Sequence, residues 1–373
     1  MIDAAPSMPV CTAAVLTAYK APLELREYPI PDTGAGEALI RVEMAGICGT
    51  DVHLCDGELK MPLPVILGHE TVGRIETLGQ GLQYDWRGEP LAVGDRVTWA
   101  SSVVCGECYY CRLKRQPTRC VARKAYGISY CADEAPHLRG GYAQFILLRA
   151  GSAIFRIPDA VPTDSVVGAG CALTTVLHGL ERATVALGDV VVVQGTGPVG
   201  LAAVAVSIQS GASRVVVIGA PERRLQLATE FGAAAVISVE AVTDVAARRE
   251  RVAAEVGPYG ADVVIECVGR PQAVPEGWEL CRDGGKYLVL GQYADAGEVM
   301  VNPHTITRKQ LQIFGSWGFE PRHVDRALTL LENSHWQQRF ASEITHRYGL
   351  AQASEAVENA RQARGGKTVL VLS

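Results

Sequence analysis

A chain of 373 residues and 39.8 kDa is longer than one hydrophobic core usually serves, so two domains are expected. Its 48% hydrophobic and 20% charged residues exclude a disordered or fibrous chain, and its net charge of −5 gives nucleic acid no basic face to bind. No apolar run approaches the roughly 20 residues that span a bilayer. Residues 1–9 carry no Lys or Arg, and the stretch from Val10 to Tyr19 contains Thr and leads into strand-like sequence. Neither a membrane span nor a secretory leader is expected, and the chain reads as cytoplasmic.

From about residue 12 to 160 short β-type segments alternate with Gly and Pro. Ala38–Ala45, Val65–Leu67, Gly73–Leu78 and Arg96–Ala100 are expected to form antiparallel or barrel-type structure. Within this stretch lie Cys48, in Gly46-Ile-Cys-Gly-Thr-Asp-Val-His53, and His69, followed by Glu70. Cys105, Cys108, Cys111 and Cys120 then follow with spacing C-x2-C-x2-C-x8-C. Four thiolates within sixteen residues satisfy tetrahedral zinc and leave no position for substrate, which marks a structural site. Cys171 stands where the texture changes. The remaining cysteines, Cys11, Cys55, Cys131, Cys267 and Cys281, are expected to be buried small hydrophobes.

From about 170 to 305 apolar β-branched runs alternate with helical patterns. Val190–Val193, Val215–Ile218, Ala235–Ile237, Val263–Glu266 and Lys286–Leu290 are too apolar to be half-exposed, so a parallel sheet covered on both faces is expected. Val199–Gln209 and Glu222–Phe231 read as crossover helices, the latter stopped by Gly232. The result is α/β, a doubly wound parallel Rossmann sheet beside a β-rich domain. Beyond it, helices are expected over Val324–Leu331 and around Ala351–Arg361, with a terminal strand Thr368–Leu372.

The run Val190-Val-Val-Val-Gln-Gly195-Thr-Gly197-Pro198-Val199-Gly200 is a strand, a G-x-G-x-x-G loop and a helix start. Its glycines allow the tight turn, the approach of pyrophosphate and close helix packing, so a dinucleotide is expected here. The acid that usually follows at the end of the second strand is missing, and Gly219 takes its place. Without that carboxylate a 2′-phosphate is not repelled, and Arg223 or Arg224 can pair with it or simply be solvated; NAD and NADP both remain open.

Together these residues resemble the zinc-containing medium-chain alcohol dehydrogenase family. Gly68-His-Glu-Thr-Val-Gly73 matches its G-H-E-x-x-G pattern, and the likeness runs over nearly the whole chain from about residue 12. The resemblance implies a GroES-like, partly barrel-like catalytic domain at 1–172 with the zinc lobe at 100–122. It further implies a dinucleotide-binding domain at 173–310 and a return to the catalytic domain at 311–373. Cys48, His69 and Cys171 would hold a catalytic zinc, with Glu70 behind it and able to join transiently. A second zinc would sit on the four-cysteine lobe, where relatives usually have seven residues before the last cysteine and this chain has eight. Thr50 resembles the hydroxyl that meets the substrate oxygen, and His53 the outer member of a proton relay through the cofactor ribose. Cys267, Val268, Gly291 and Gln292 would line the cofactor cleft through backbone contacts. The implied substrate is a small-molecule alcohol or carbonyl, secondary or bulky, and the implied assembly a homodimer or homotetramer. Polyol-type relatives commonly carry Glu where Cys171 stands. Tyr126, Tyr130 and Trp317 hint at an apolar or cyclic alcohol, though aromatics in loops more often only pack. A polyol- or amino-alcohol dehydrogenase and a catalytically silent zinc- and nucleotide-binding protein stand as alternatives.

Overall fold

The computed structural model describes residues 9–362 and 365–372. Residues 1–8 of the stretch read as lacking a leader, and residues 363–364 and 373 of the last domain, lie outside these. Among the described residues no helix is long and apolar enough to cross a membrane. The chain divides into two compact units, residues 1–170 with 320–373 and residues 171–319. The first therefore resumes at Glu320 rather than at residue 311. The difference has a simple cause: Gln312–Gly315 pairs in parallel with Cys281–Val289 and so adds a sixth strand to the second unit.

In the first unit the central strand is Ala38–Ile47. It pairs antiparallel along one side with Glu70–Leu78, which continues to Arg96–Trp99 and Ile154–Arg156. Its other side is shared: Phe145–Leu148 takes Ala38–Arg41, and Lys367–Val371 takes Met44–Ile47. A register shift between Val42 and Met44 bends the strand, which gives the sheet its curl. A separate three-stranded sheet, Glu24–Pro29, Val10–Leu16 and Val65–Ile66, closes the core around Leu16, Ile66 and Tyr142. The β-rich expectation for this half holds, with strand ends moved by one to three residues.

The second unit is a six-stranded, wholly parallel sheet. Its spatial order is Ala235–Ser238, Arg214–Gly219, Val190–Gln194, Ala261–Glu266, Cys281–Val289, Gln312–Gly315. In chain order that is 3-2-1-4-5-6, so the switch point lies between Val190–Gln194 and Ala261–Glu266. The helix Pro198–Gln209 is buried from Gly200 to Ser207, which accounts for its Ala- and Val-rich sequence.

Candidate metal centres and dinucleotide site

The first site is built where Ala38–Ile47 gives way to the helix Gly49–Asp56. Cys48 occupies the cap position in extended conformation, and Asp51 accepts the Cys48 backbone N–H at 2.8 Å. This bond turns Asp51 inward until it is fully buried, with Oδ1 3.3 Å from Nδ1 of His69. The two atoms face each other in the interior, and neither has another hydrogen-bond partner among the described residues. Nδ1 of His69 is thus directed to a carboxylate, which leaves Nε2 as its ligand atom, the arrangement by which a carboxylate orients a metal-bound histidine. Burial disfavours the charged ring, but Asp51 and Cys48 together outweigh it and hold His69 well above the ordinary histidine range.

Behind His69, Glu70 opens the strand Glu70–Leu78 and meets Lys367 of the terminal strand, Oε2 to Nζ, at 2.9 Å. Their side chains are 1% and 2% exposed. Either charge left alone at that depth would cost several kcal/mol, so the pair is held as a unit. The helical segment Thr163–Ala183 breaks direction at Gly170, with φ 47° and ψ −149°. A side chain at Gly170 would place its Cβ 2.2 Å from Lys367 Nζ and 2.3 Å from Glu70 Oε1. Only glycine permits that turn, and one peptide bond later comes Cys171. One ligand atom each from Cys48, His69, Glu70 and Cys171 lie within 4.8 Å of one another. Two thiols, an imidazole and a reserve carboxylate form a donor set that suits zinc.

The four-cysteine lobe hangs from a two-stranded clasp, Ser102–Val103 paired with Lys124–Ala125. Ligand atoms of Cys105, Cys108, Cys111 and Cys120 also lie within 4.8 Å of one another. Backbone amides are aimed at the sulfurs, Cys105 N–H to Cys120 Sγ and Cys108 N–H to Cys105 Sγ, both at 3.4 Å. Amides of Cys111 and Val121 pull the Cys108 thiol down to about 6, while desolvation and its bond to Cys108 push Cys111 up to about 12. One thiolate is thus favoured among four close sulfurs, the starting state for a tetrahedral metal.

In the second unit the glycine loop follows Val190–Gln194 at the switch point. Gly195 has φ 115°, and a Cβ there would fall 3.0 Å from the Cys267 carbonyl carbon. A Cβ at Gly200 would meet Gly195 O at 2.1 Å, so the helix can start there only without a side chain. Around Gly197 there is open space, with Pro198 and Val199 opening the helix beyond it. That combination of packed and open glycines fits a phosphate at a helix N-terminus. Cys267 N–H donates to Gln194 O at 2.8 Å, and Val268, Gly269 and Gly291 are gathered by Glu266. Its buried carboxylate accepts from the N–H groups of Val268 and Gly269 at 2.7 Å and of Gly291 at 3.2 Å. Burial still raises the Glu266 pKa above its ordinary value. Gln292 presents Nε2 as a buried donor with no partner among the described residues, as a contact awaiting a bound group would. At Gly219 a Cβ would lie 2.5 Å from Thr196 Cγ2, so no acidic side chain fits there while Thr196 bonds Ala220 O at 2.8 Å. Arg224 is half-buried and Arg223 exposed on the helix that follows.

Thr50 and His53 share one face of Gly49–Asp56, three residues apart. Asp51, Lys367 and Glu266 went unnoticed in the sequence. Only Asp51 left a local sign, an acid three residues after the Cys48 cap position. Two readings need correction. Tyr126 is fully buried in a core cluster, its hydroxyl tied to Ser152 at 2.6 Å, and Tyr130 stacks on it, so Tyr126 is a packing residue. Trp317 is 37% exposed and stacks on Tyr293. Among the spare cysteines, Cys11, Cys55 and Cys281 are buried, but Cys131, in a loop, and Cys267, just past Ala261–Glu266, are only half-buried.

Comparison with known proteins agrees with this geometry. The zinc-binding dehydrogenase family matches residues 198–333, and the alcohol dehydrogenase GroES-like domain matches 34–159. The chain is 38% identical over 340 residues to 5-exo-hydroxycamphor dehydrogenase of Pseudomonas putida, covering 90% of this chain and 92% of that one. It is 30% identical to sorbitol dehydrogenase of Halalkalibacterium halodurans, over 93% of this chain and 94% of the relative. Among solved structures, an alcohol dehydrogenase of Thermotoga maritima superposes with TM-score 0.93 at 33% identity, covering 98% and 100% of the two chains. A zinc-binding dehydrogenase of Sinorhizobium meliloti bound to NADP gives 0.85 at 29%, again covering 98% and 100%.

Proposed function

The chain belongs to the zinc-containing medium-chain alcohol dehydrogenase family, and from that premise we propose that its substrate is a bulky cyclic secondary alcohol or the matching ketone. It is an oxidoreductase of CH–OH groups that uses zinc and NAD(P). The observation that carries the substrate reading is the 38% identity, over nine-tenths of the chain, to a dehydrogenase of a bicyclic secondary alcohol. Cys171 supports it against the polyol alternative.

Cys48, His69 and Cys171 hold the catalytic zinc in this reading, and the four lobe cysteines hold a second. Bound there, zinc supplies the Lewis acidity that makes an alcohol proton easy to lose, and NAD(P) supplies the hydride acceptor. Thr50 receives that proton and His53 moves it outward; their common helix face keeps the path short. Asp51 orients His69, and Lys367 restrains Glu70. Gly195, Gly197, Pro198, Val199 and Gly200 cradle the pyrophosphate, while Gln292 offers its unused amide. Gly219, too crowded for an acid, lets NADP in beside NAD, with Arg223 and Arg224 as the cations on the helix that follows.

A panel of borneol, 5-exo-hydroxycamphor, cyclohexanol, benzyl alcohol, sorbitol and L-threonine, run with both cofactors and followed by nicotinamide absorbance, tests this. The bicyclic alcohols should lead in kcat/KM by about tenfold or more, since a large apolar ligand realises more pocket contact. Sorbitol or threonine in first place sinks the substrate reading. In the R223A/R224A variant, kcat/KM with NADP should fall about tenfold through lost charge-assisted bonds, and NAD should change less than about twofold. An equal loss with both cofactors rejects the arginines as the phosphate site.

A homodimer is the assembly we propose. Gln312–Gly315 is the edge of the parallel sheet, with Ile313 40% exposed, and among the described residues no strand lies outside it. Such an edge is completed by an identical edge across a two-fold axis. Sedimentation should return twice the chain mass; a monomer rejects the proposal.

A further inference from the structure

The helix Gly49–Asp56 ends in a way that brings a carboxylate onto His53. Gly57 takes the left-handed conformation, φ 77° and ψ 14°, its N–H donating to Leu54 O at 3.1 Å, and Glu58 N–H donates to His53 O at 3.0 Å. This pair of bonds is the Schellman ending, in which the residue after the glycine is folded back over the residue five before it. In most such endings those two side chains are apolar and touch. Here they are Glu58 and His53, with Oε2 and Nδ1 2.5 Å apart.

The turn is fastened rather than loose. Tyr19 packs against Gly57, where a Cβ would meet its ring at 3.0 Å, and its hydroxyl accepts the Met61 N–H at 3.2 Å. Lys20 N–H donates to Cys55 O at 2.6 Å. The other acids near His53 along the helix are engaged elsewhere: Asp51 with Cys48 N–H and His69, and Asp56 with Arg361, which Glu358 also engages at 2.8 Å. Glu58 is therefore the carboxylate committed to His53. Both side chains are partly solvated, 41% exposed for His53 and 49% for Glu58.

We propose that Glu58 is a positioning residue for the proton path, an inference that rests on the reading of His53 as its outer member. The carboxylate accepts from Nδ1–H of the neutral ring, which fixes the tautomer and leaves the Nε2 lone pair open to the incoming proton. When Nε2 gains that proton, the imidazolium stands beside Glu58, and Nδ1–H is already aligned on an acceptor in contact with water. The proton is then lost to bulk solvent and the ring returns to its neutral form. A histidine oriented by a carboxylate on its far nitrogen is the general device for holding a base in one tautomer.

E58Q and H53Q in the zinc-loaded, full-length enzyme test this, assayed with the best alcohol of the panel and by nitrogen-15 NMR of the histidine rings. H53Q identifies the His53 signals by their loss. H53Q should lower kcat about tenfold to a hundredfold. E58Q should lower kcat about fivefold with KM within twofold, and at a pH where the ring is neutral should shift His53 from the Nδ1–H form toward the Nε2–H form. If H53Q is impaired while E58Q keeps full kcat and the wild-type tautomer, the role of Glu58 is overturned and the relay stands. If H53Q itself turns over like wild type, the relay reading falls and the inference with it.

Discussion

Replacing Cys48 with alanine should lower kcat/KM by about a thousandfold or more and leave about one zinc per chain instead of two. Removing one thiolate from a three-ligand set leaves His69 and Cys171, with Glu70 held by Lys367 at 2.9 Å and therefore a poor replacement. The fold has less at stake. The bond that starts the helix Gly49–Asp56 runs from the Cys48 backbone N–H to Asp51, and survives loss of the thiol. Activity and metal content should thus fall while the melting temperature moves little. D51N should act more mildly, about tenfold to a hundredfold in zinc affinity, because it loosens His69 without removing a ligand. Metal analysis beside kinetics decides the matter: wild-type turnover by C48A with a single zinc would sink the assignment.

The second large effect is on stability. C108S should empty the lobe and lower the melting temperature by on the order of 10 °C. The lobe has almost no core of its own: none of Tyr109–Leu113 is buried, and Tyr109, Leu113 and Val121 are 53%, 72% and 77% exposed. What gathers Cys105, Cys108, Cys111 and Cys120 is sulfur chemistry, with backbone amides aimed at thiols and a clasp of only two residue pairs behind them. Without metal, four sulfurs within 4.8 Å compete for few donors, and serine cannot replace a thiolate ligand. Limited proteolysis should then cut between residues 104 and 123, whereas the intact lobe resists. An unchanged melting temperature and full protection of that segment in C108S would show that the lobe holds itself without zinc.

Much of the fold was legible because its strands are chemically extreme. Val190–Gln194 and Arg214–Gly219 run almost uninterrupted in β-branched residues, and only a sheet covered on both faces accepts such runs. The helical segment Thr163–Ala183 was not read from the sequence, where Gly168 and Gly170 interrupt its pattern. Both are there because neighbours approach too closely for a side chain: Phe340 O lies 2.0 Å from a Cβ at Gly168, and Lys367 at 2.2 Å from one at Gly170. Strand Gln312–Gly315 was assigned to the wrong half because its exposed, four-residue sequence says nothing about which sheet it joins; only its register against Lys286–Val289 does.

The same division runs through the functional site. From the sequence alone come the zinc ligand set and the glycine loop, since thiols, imidazoles and missing side chains declare their chemistry by residue type and spacing. Everything that holds those groups in place was decided by the tertiary structure. Asp51 reaches His69, Lys367 reaches Glu70 and Glu266 gathers three amides only after distant segments have paired. Acids and lysines are too common for their pairings to be foreseen. Even Glu58 and His53, five residues apart, meet because Gly57 turns the chain left-handed, and that turn becomes visible only once the helix has somewhere to end.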